Sequence, residues 1–162
     1  MKKGKKIVVT VGSTHFDALI DIIDSKEFIE LAKSKGYETI TAQIGKYESK
    51  IHNLTEFFAY TTPDVLKKHY EEADLIIGHA GAGTIMEVLQ LGKPLLVVVN
   101  EILMENHQTE VARAFHQQNL LEMATTSNFL DVFRNTTFEP HKISLNTSDF
   151  VENLNAHFHF KI

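Results

Sequence analysis

An α/β fold on a doubly wound parallel sheet is predicted by three features of this sequence. Short runs rich in Val, Ile and Leu alternate with stretches whose apolar residues recur at helical spacing. The links between them are short, and glycine follows two of the runs just ahead of a helix pattern. Such alternation favours parallel pairing, because right-handed crossovers lay helices on both faces of a sheet.

Ile7-Val8-Val9-Thr10-Val11 reads as a buried strand ending at Gly12. Phe16, Leu19, Ile20 and Ile23, then Phe28, Leu31 and Ala32, keep helical spacing as far as Gly36, which predicts one helix with a glycine C-cap. Thr39–Ile44 is the second strand, Gly45–Asn53 a polar loop and Phe57–Tyr60 a short strand. Thr62 has N-cap chemistry and Pro63 suits the first helical position, so a helix runs from there to about Glu72. Three further units follow: strand Asp74–Gly78 with helix Thr84–Leu91, strand Leu95–Val99 with helix Glu105–Gln118, and strand Glu122–Thr125 with helix Ser127–Arg134. The result is a Rossmann-like domain over residues 1–137. Residues 138–162 break the rhythm. Phe150, Leu154, His157 and Phe158 share one side of a last helix, which either packs on its own sheet or docks on a partner chain.

Composition narrows the function. With 162 residues, 43% hydrophobic and 23% charged, the chain fits one folded domain. A net charge of −5 opposes binding to a phosphate backbone, so nucleic acid is not an expected partner. The absence of cysteine removes disulfides and thiolate chemistry. The longest strongly apolar run, Leu95–Val99, falls far short of the roughly 20 residues of a membrane span. The basic start, Met1 to Lys6, precedes no signal-peptide core and reads as a solvated tail or a weak contact with anionic lipid.

The strongest local signal is Gly78-His79-Ala80-Gly81-Ala82-Gly83-Thr84, between an apolar strand and a helix pattern. Glycines allow close backbone approach, and a helix start offers unpaired N–H groups to phosphate. The alternative is a glycine-rich turn without a ligand. The run lacks the Lys-Ser/Thr pair of the P-loop and, with Met86 in place, the full dinucleotide fingerprint. Thr84 and Glu87, three apart, share a helix side; either the carboxylate accepts from ribose hydroxyls, or Thr84-Ile85-Met86-Glu87 is a capping box. Gly12-Ser13-Thr14 offers donors at another strand end, against ordinary N-capping by Ser13 or Thr14. Asn106-His107-Gln108 places amides at a third helix start, against a merely solvated turn. His15 and His79 flank the two glycine loops and can reach phosphate or serve as satisfied loop histidines. No histidine has zinc spacing, and Asp17, Asp21 and Asp24 read as a solvated helix face, so no metal is expected.

Together, VGSTHFD, ADLIIGHAGAGTIMEVLQLGKPLLVVVN and LMENHQTEVARAF resemble the C-terminal donor-binding domain of GT-B glycosyltransferases of the MurG type. The resemblance is strongest to the stand-alone eukaryotic subunit that uses UDP-GlcNAc, and it covers roughly Ile7 to Phe115. It implies that Gly81, Ala82, Gly83 and Thr84 hold the diphosphate, with His79 beside them, and that Glu87 contacts the ribose. Asn106, His107 and Gln108 would address the GlcNAc hydroxyls, and Gly12, Ser13 and Thr14 would face the cleft. Ile44-Gly45-Lys46 sits where related enzymes run into a uracil-side loop, but Tyr47 and Glu48 follow, and uracil contacts are left unassigned. The resemblance also implies inverting β-1,4 transfer of GlcNAc to dolichyl-diphosphate-GlcNAc without metal or cofactor. A membrane-anchored acceptor-binding partner would recruit the chain to the cytosolic face of the endoplasmic reticulum. Two other readings stand beside it: a half-enzyme for a bacterial-type polyprenyl-linked precursor with another donor sugar, and a non-catalytic nucleotide-binding regulator.

Overall fold

The computed structural model describes residues 4–100 and 106–140, with only the helical backbone of Asn106, His107 and Gln108. Its strands are β1 (Lys5–Thr10), β2 (Tyr37–Gln43), β3 (Glu56–Phe58), β4 (Leu75–His79), β5 (Leu95–Val99) and β6 (Glu122–Thr125). They form one sheet in the order β3-β2-β1-β4-β5-β6 with every pairing parallel, the order of a doubly wound Rossmann sheet. The helices are α1 (Asp17–Ile23), α2 (Lys26–Ser34), α3 (Pro63–Glu72), α4 (Ala82–Gln90), α5 (Asn106–Gln117) and α6 (Phe129–Asn135).

Strand side chains alternate between faces, and each face has its own core. Ile7, Val9 and Ile77 point to the side covered by α1, α2 and α6. Val8, Ile76 and Val97 point to the side covered by α3, α4 and α5. Burial on both faces explains why the central strands read as unbroken apolar runs rather than alternating ones. The first core is aromatic: the ring of Phe28 lies 5.5 Å from Phe129 and 5.0 Å from Phe133, centroid to centroid.

Residue 138 belongs to this layer, since the Phe138 ring packs tilted against Phe133, 5.8 Å from centroid to centroid. The ammonium of Lys35 sits over both rings and donates to the carbonyls of Phe133 and Thr136, closing the end of α6. Phe150, Leu154, His157 and Phe158 lie outside the described residues.

The single helix expected between Phe16 and Gly36 is two helices. Ser25 caps α2 by accepting from the Phe28 N–H at 3.1 Å, which turns the chain between α1 and α2. Gly36, at φ +91°, ends α2 as expected. The solvated aspartate face also needs correction: Asp17 and Asp21 are exposed, but Asp24 is buried. Its carboxylate accepts the backbone N–H groups of His52, Asn53 and Leu54 at 2.8, 2.7 and 2.8 Å, and Asp21 accepts the Tyr47 hydroxyl at 2.6 Å. The polar loop after β2 is therefore tied to the end of α1. Thr62 and Pro63 open α3 as the sequence predicts, with Thr62 accepting from the Val65 N–H at 3.3 Å.

Candidate functional site

Both glycine loops leave the carboxyl ends of β1 and β4, the adjacent parallel strands at which the strand order reverses. In an open α/β sheet that crevice is where ligands bind. Gly12 takes φ +61°, a left-handed conformation costly to any side chain, and its N–H donates to the Thr10 hydroxyl at 3.0 Å. The Thr14 hydroxyl donates back to the Val11 carbonyl at 2.7 Å and closes the turn, leaving Ser13 exposed. N-capping by Ser13 or Thr14 is not what forms here, because Phe16 holds the cap position of α1 without a side-chain cap bond. Gly45, past the end of β2, comes so close that a Cβ there would lie 2.8 Å from the Thr14 carbonyl oxygen. Asn100, past β5, donates to the His15 carbonyl at 3.4 Å. Three strand ends thus converge on the first loop.

At the second loop, Gly81 is the N-cap of α4, so the helix starts at Ala82, two residues earlier than the sequence pattern predicts. Thr84 is consequently the third helical residue, and the capping-box alternative for Thr84 and Glu87 falls. Gly81 offers no side-chain cap, and the first turn carries no acidic group. The N–H groups of Ala82, Gly83 and Thr84, with the positive end of the helix dipole, form an anion-accepting shelf.

The imidazole of His79 wedges between the loops. A Cβ on Gly12 would come within 2.8 Å of its Cε1, and one on Gly81 within 2.4 Å of its Nε2. Burial holds the His79 pKa below its ordinary value, against the opposing effect of the Thr10 backbone. The wedge is therefore neutral at physiological pH.

Thr84 does not stand free on this shelf. Its methyl group packs 3.6 Å from where a Gly78 Cβ would be. Burial above all, with the charge of the partly exposed Glu87 adding to it, pushes the Tyr70 pKa up to about 12. Asn106, His107 and Gln108 open α5 beyond β5, the strand next to β4, which puts their backbone on the same side of the sheet. Reading the sequence missed Thr10, Gln43, Tyr70 and Asn100. Thr10 and Gln43 carried a signal, as polar residues flanked by apolar ones at the ends of their strands.

Three cavities open elsewhere, along the amino edge of the sheet: one beside Pro94, Leu121 and Phe138, one beside Lys5, Asp74 and Lys93, and one beside Lys33, Glu38 and Leu54. Their linings lack the glycine loops, so the site is assigned by strand ends and helix starts. Among the described residues, no group of three or more His, Asp or Glu side chains could hold a metal, and no helix is long and apolar enough to cross a membrane.

Residues 6–149 match the glycosyltransferase family 28 C-terminal domain. The chain belongs to this family. Among the relatives of this family 28 domain is the human UDP-N-acetylglucosamine transferase subunit ALG13, 42% identical over 125 residues, which are 75% of this chain and 11% of the human protein. The Yarrowia lipolytica subunit of the same name is 33% identical over 132 residues, covering 75% of this chain and 66% of that one. The chain thus spans about a tenth of the length of the human relative. The solution structure of ALG13 superposes with a TM-score of 0.69 over 98% of both chains at 21% identity, which bears on the fold alone. MurG of Acinetobacter baumannii superposes with a TM-score of 0.63 at 26% identity over 83% of this chain and 40% of MurG. The family 28 domain described here is accordingly one Rossmann-like half of a GT-B architecture.

Proposed function

We propose that this chain is the donor-binding half of a UDP-N-acetylglucosamine transferase that works with a second, membrane-anchored subunit carrying the acceptor side. The observation that carries the reading is the uncapped start of α4 beside the Gly12 turn at the point where strand order reverses. It is supported by family membership and by relatives that bear the name of a transferase subunit.

In this reading the N–H groups of Ala82, Gly83 and Thr84 receive the diphosphate, Glu87 accepts from the ribose, and Asn106, His107 and Gln108 address the GlcNAc hydroxyls. Ser13 faces the cleft toward the partner. The acceptor is dolichyl-diphosphate-GlcNAc, whose 4-hydroxyl attacks the anomeric carbon opposite the departing UDP and gives a β-1,4 link. Helix-end N–H groups stabilise the charge that develops on the diphosphate, so this half favours departure of UDP without a metal. The base that takes the acceptor proton belongs to the partner. The partner would also recruit the chain to the cytosolic face of the endoplasmic reticulum.

The test is an NMR titration of the chain with UDP-GlcNAc, with UDP-glucose, GDP-mannose and NAD as comparisons. Saturable shifts selective for UDP-GlcNAc at residues 12–14 and 81–87, lost in a folded Glu87→Ala variant, are expected. Equal response to all four ligands, or shifts confined to other surfaces, would refute the donor-site assignment.

A further inference from the structure

We infer that Gln43 is a positioning residue for this site: acting through the Thr10 hydroxyl, it turns the Gly12 N–H inward and holds the first glycine loop so that, of Gly12, Ser13 and Thr14, only Ser13 offers donors to the crevice. The inference rests on the donor-site reading only for its consequence, ligand affinity; the hold on the loop is a property of the free protein.

Thr10, the last residue of β1, pairs with Gln43, the last of β2, so the two side chains stand next to each other where the first loop leaves the sheet. Both are buried, and buried polar groups need partners. The partners here leave no choice of direction. The Gly12 N–H, 3.0 Å from the Thr10 hydroxyl oxygen, can only donate. Gln43 Oε1, 2.7 Å from the same oxygen, can only accept, so the hydroxyl hydrogen goes to Gln43. A glycine at φ +61° lacks the Cβ that would restrict it, and the fixed direction of its N–H is what selects this turn among the others open to it.

The remaining donors of the loop are committed as well. The Val11 N–H donates to the Gln43 carbonyl at 3.3 Å, so Gln43 grips the loop through its backbone and its side chain. The Thr14 N–H and hydroxyl both donate to the Val11 carbonyl, at 3.2 and 2.7 Å. Exposed Ser13 keeps its N–H and hydroxyl without a partner among the described residues. The first loop is therefore no second cradle for phosphate. It presents one residue, and the chain of contacts from Gln43 through Thr10 to Gly12 decides where that residue stands.

Packing and hydrogen bonding predict opposite orders at Thr10. Its methyl lies 3.8 Å from where a Gly78 Cβ would be, so a residue kept for packing would tolerate valine and suffer from serine, whereas one kept for its hydroxyl does the reverse. The experiment measures hydrogen exchange of the Gly12 amide and UDP-GlcNAc affinity by NMR in wild type, Thr10→Val, Thr10→Ser, Gln43→Met and the double variant Thr10→Val with Gln43→Met. Thermal melting shows that each folds. Thr10→Val should speed exchange at Gly12 roughly tenfold and weaken UDP-GlcNAc roughly two- to tenfold, the range of a lost net hydrogen bond. Gln43→Met should act in the same direction by less, and Thr10→Ser should stay near wild type in both readouts. The double variant should lose less than the product of the single effects, because both cut one chain. Should Thr10→Val fail to fold, Gln43→Met alone decides. If wild type binds no UDP-sugar, the donor reading fails while exchange at Gly12 still reports the hold on the loop. Unchanged Gly12 exchange in Gln43→Met, a Thr10→Ser variant worse than Thr10→Val, or full multiplicative effects in the double variant would overturn the inference.

Discussion

Gly12 is held by two independent constraints, its left-handed backbone and the imidazole of His79 2.8 Å from where a Cβ would stand. Gly12→Ala should therefore destabilise the chain by about 1–2 kcal/mol, the usual penalty for a left-handed alanine, and move the His79 ring signals as well. Chemical denaturation together with imidazole resonances would read both. His79 carries a pH dependence of its own. Its pKa is lower folded than unfolded, so the unfolded chain binds more protons between the two values. The contribution of neutral His79 is complete above about pH 6.5 and is lost as the pH falls through the folded-state value. Comparing wild type with His79→Gln isolates this contribution from the other histidines. The variant should lose less stability than wild type on going from pH 7 to pH 5, and parallel curves would show that His79 titrates normally.

The junction of α1 and α2 shows how an element can look different in sequence and in space. The apolar spacing slips there, with five residues from Ile23 to Phe28 where a continuous helix face takes three or four, and its resumption just beyond makes two helices look like one. The usable signal was Ser25 ahead of Lys26-Glu27-Phe28, a helix start that periodicity overrode. Asp24 is the consequence, a buried carboxylate serving three backbone donors from a loop nearly thirty residues on. Replacing it by asparagine removes the charge and turns one oxygen into a donor facing backbone N–H groups. Asp24→Asn should cost about 1–3 kcal/mol and open residues 45–55 to limited proteolysis before the sheet unfolds. A variant with unchanged stability and unchanged cleavage would show that the clamp carries no load.

At the scale of the whole molecule the fold was legible because parallel strands buried on both faces leave long apolar runs, and because β-α alternation restricts topology. The glycine loops were legible as loops, since Gly12 and Gly81 sit at strand ends where only a turn can follow. The network under them was not. Gln43 and Thr10 come from two strands, and their meeting under the Gly12 turn depends on strand register, which no local pattern encodes. His79 was visible as a neighbour of both loops, but its part as a wedge needed coordinates. The adjacency of β1 and β4 has a further consequence for how the protein is made. About two-fifths of the chain lies between Gly12 and Gly81. A ribosome delivers the first loop long before the second, and no half-made chain contains the uncapped start of α4 beside the Gly12 turn. The crevice comes into being only when β4 slides in beside β1, so any ligand held by both loops would reward a completed threading of the sheet and none of its partial versions.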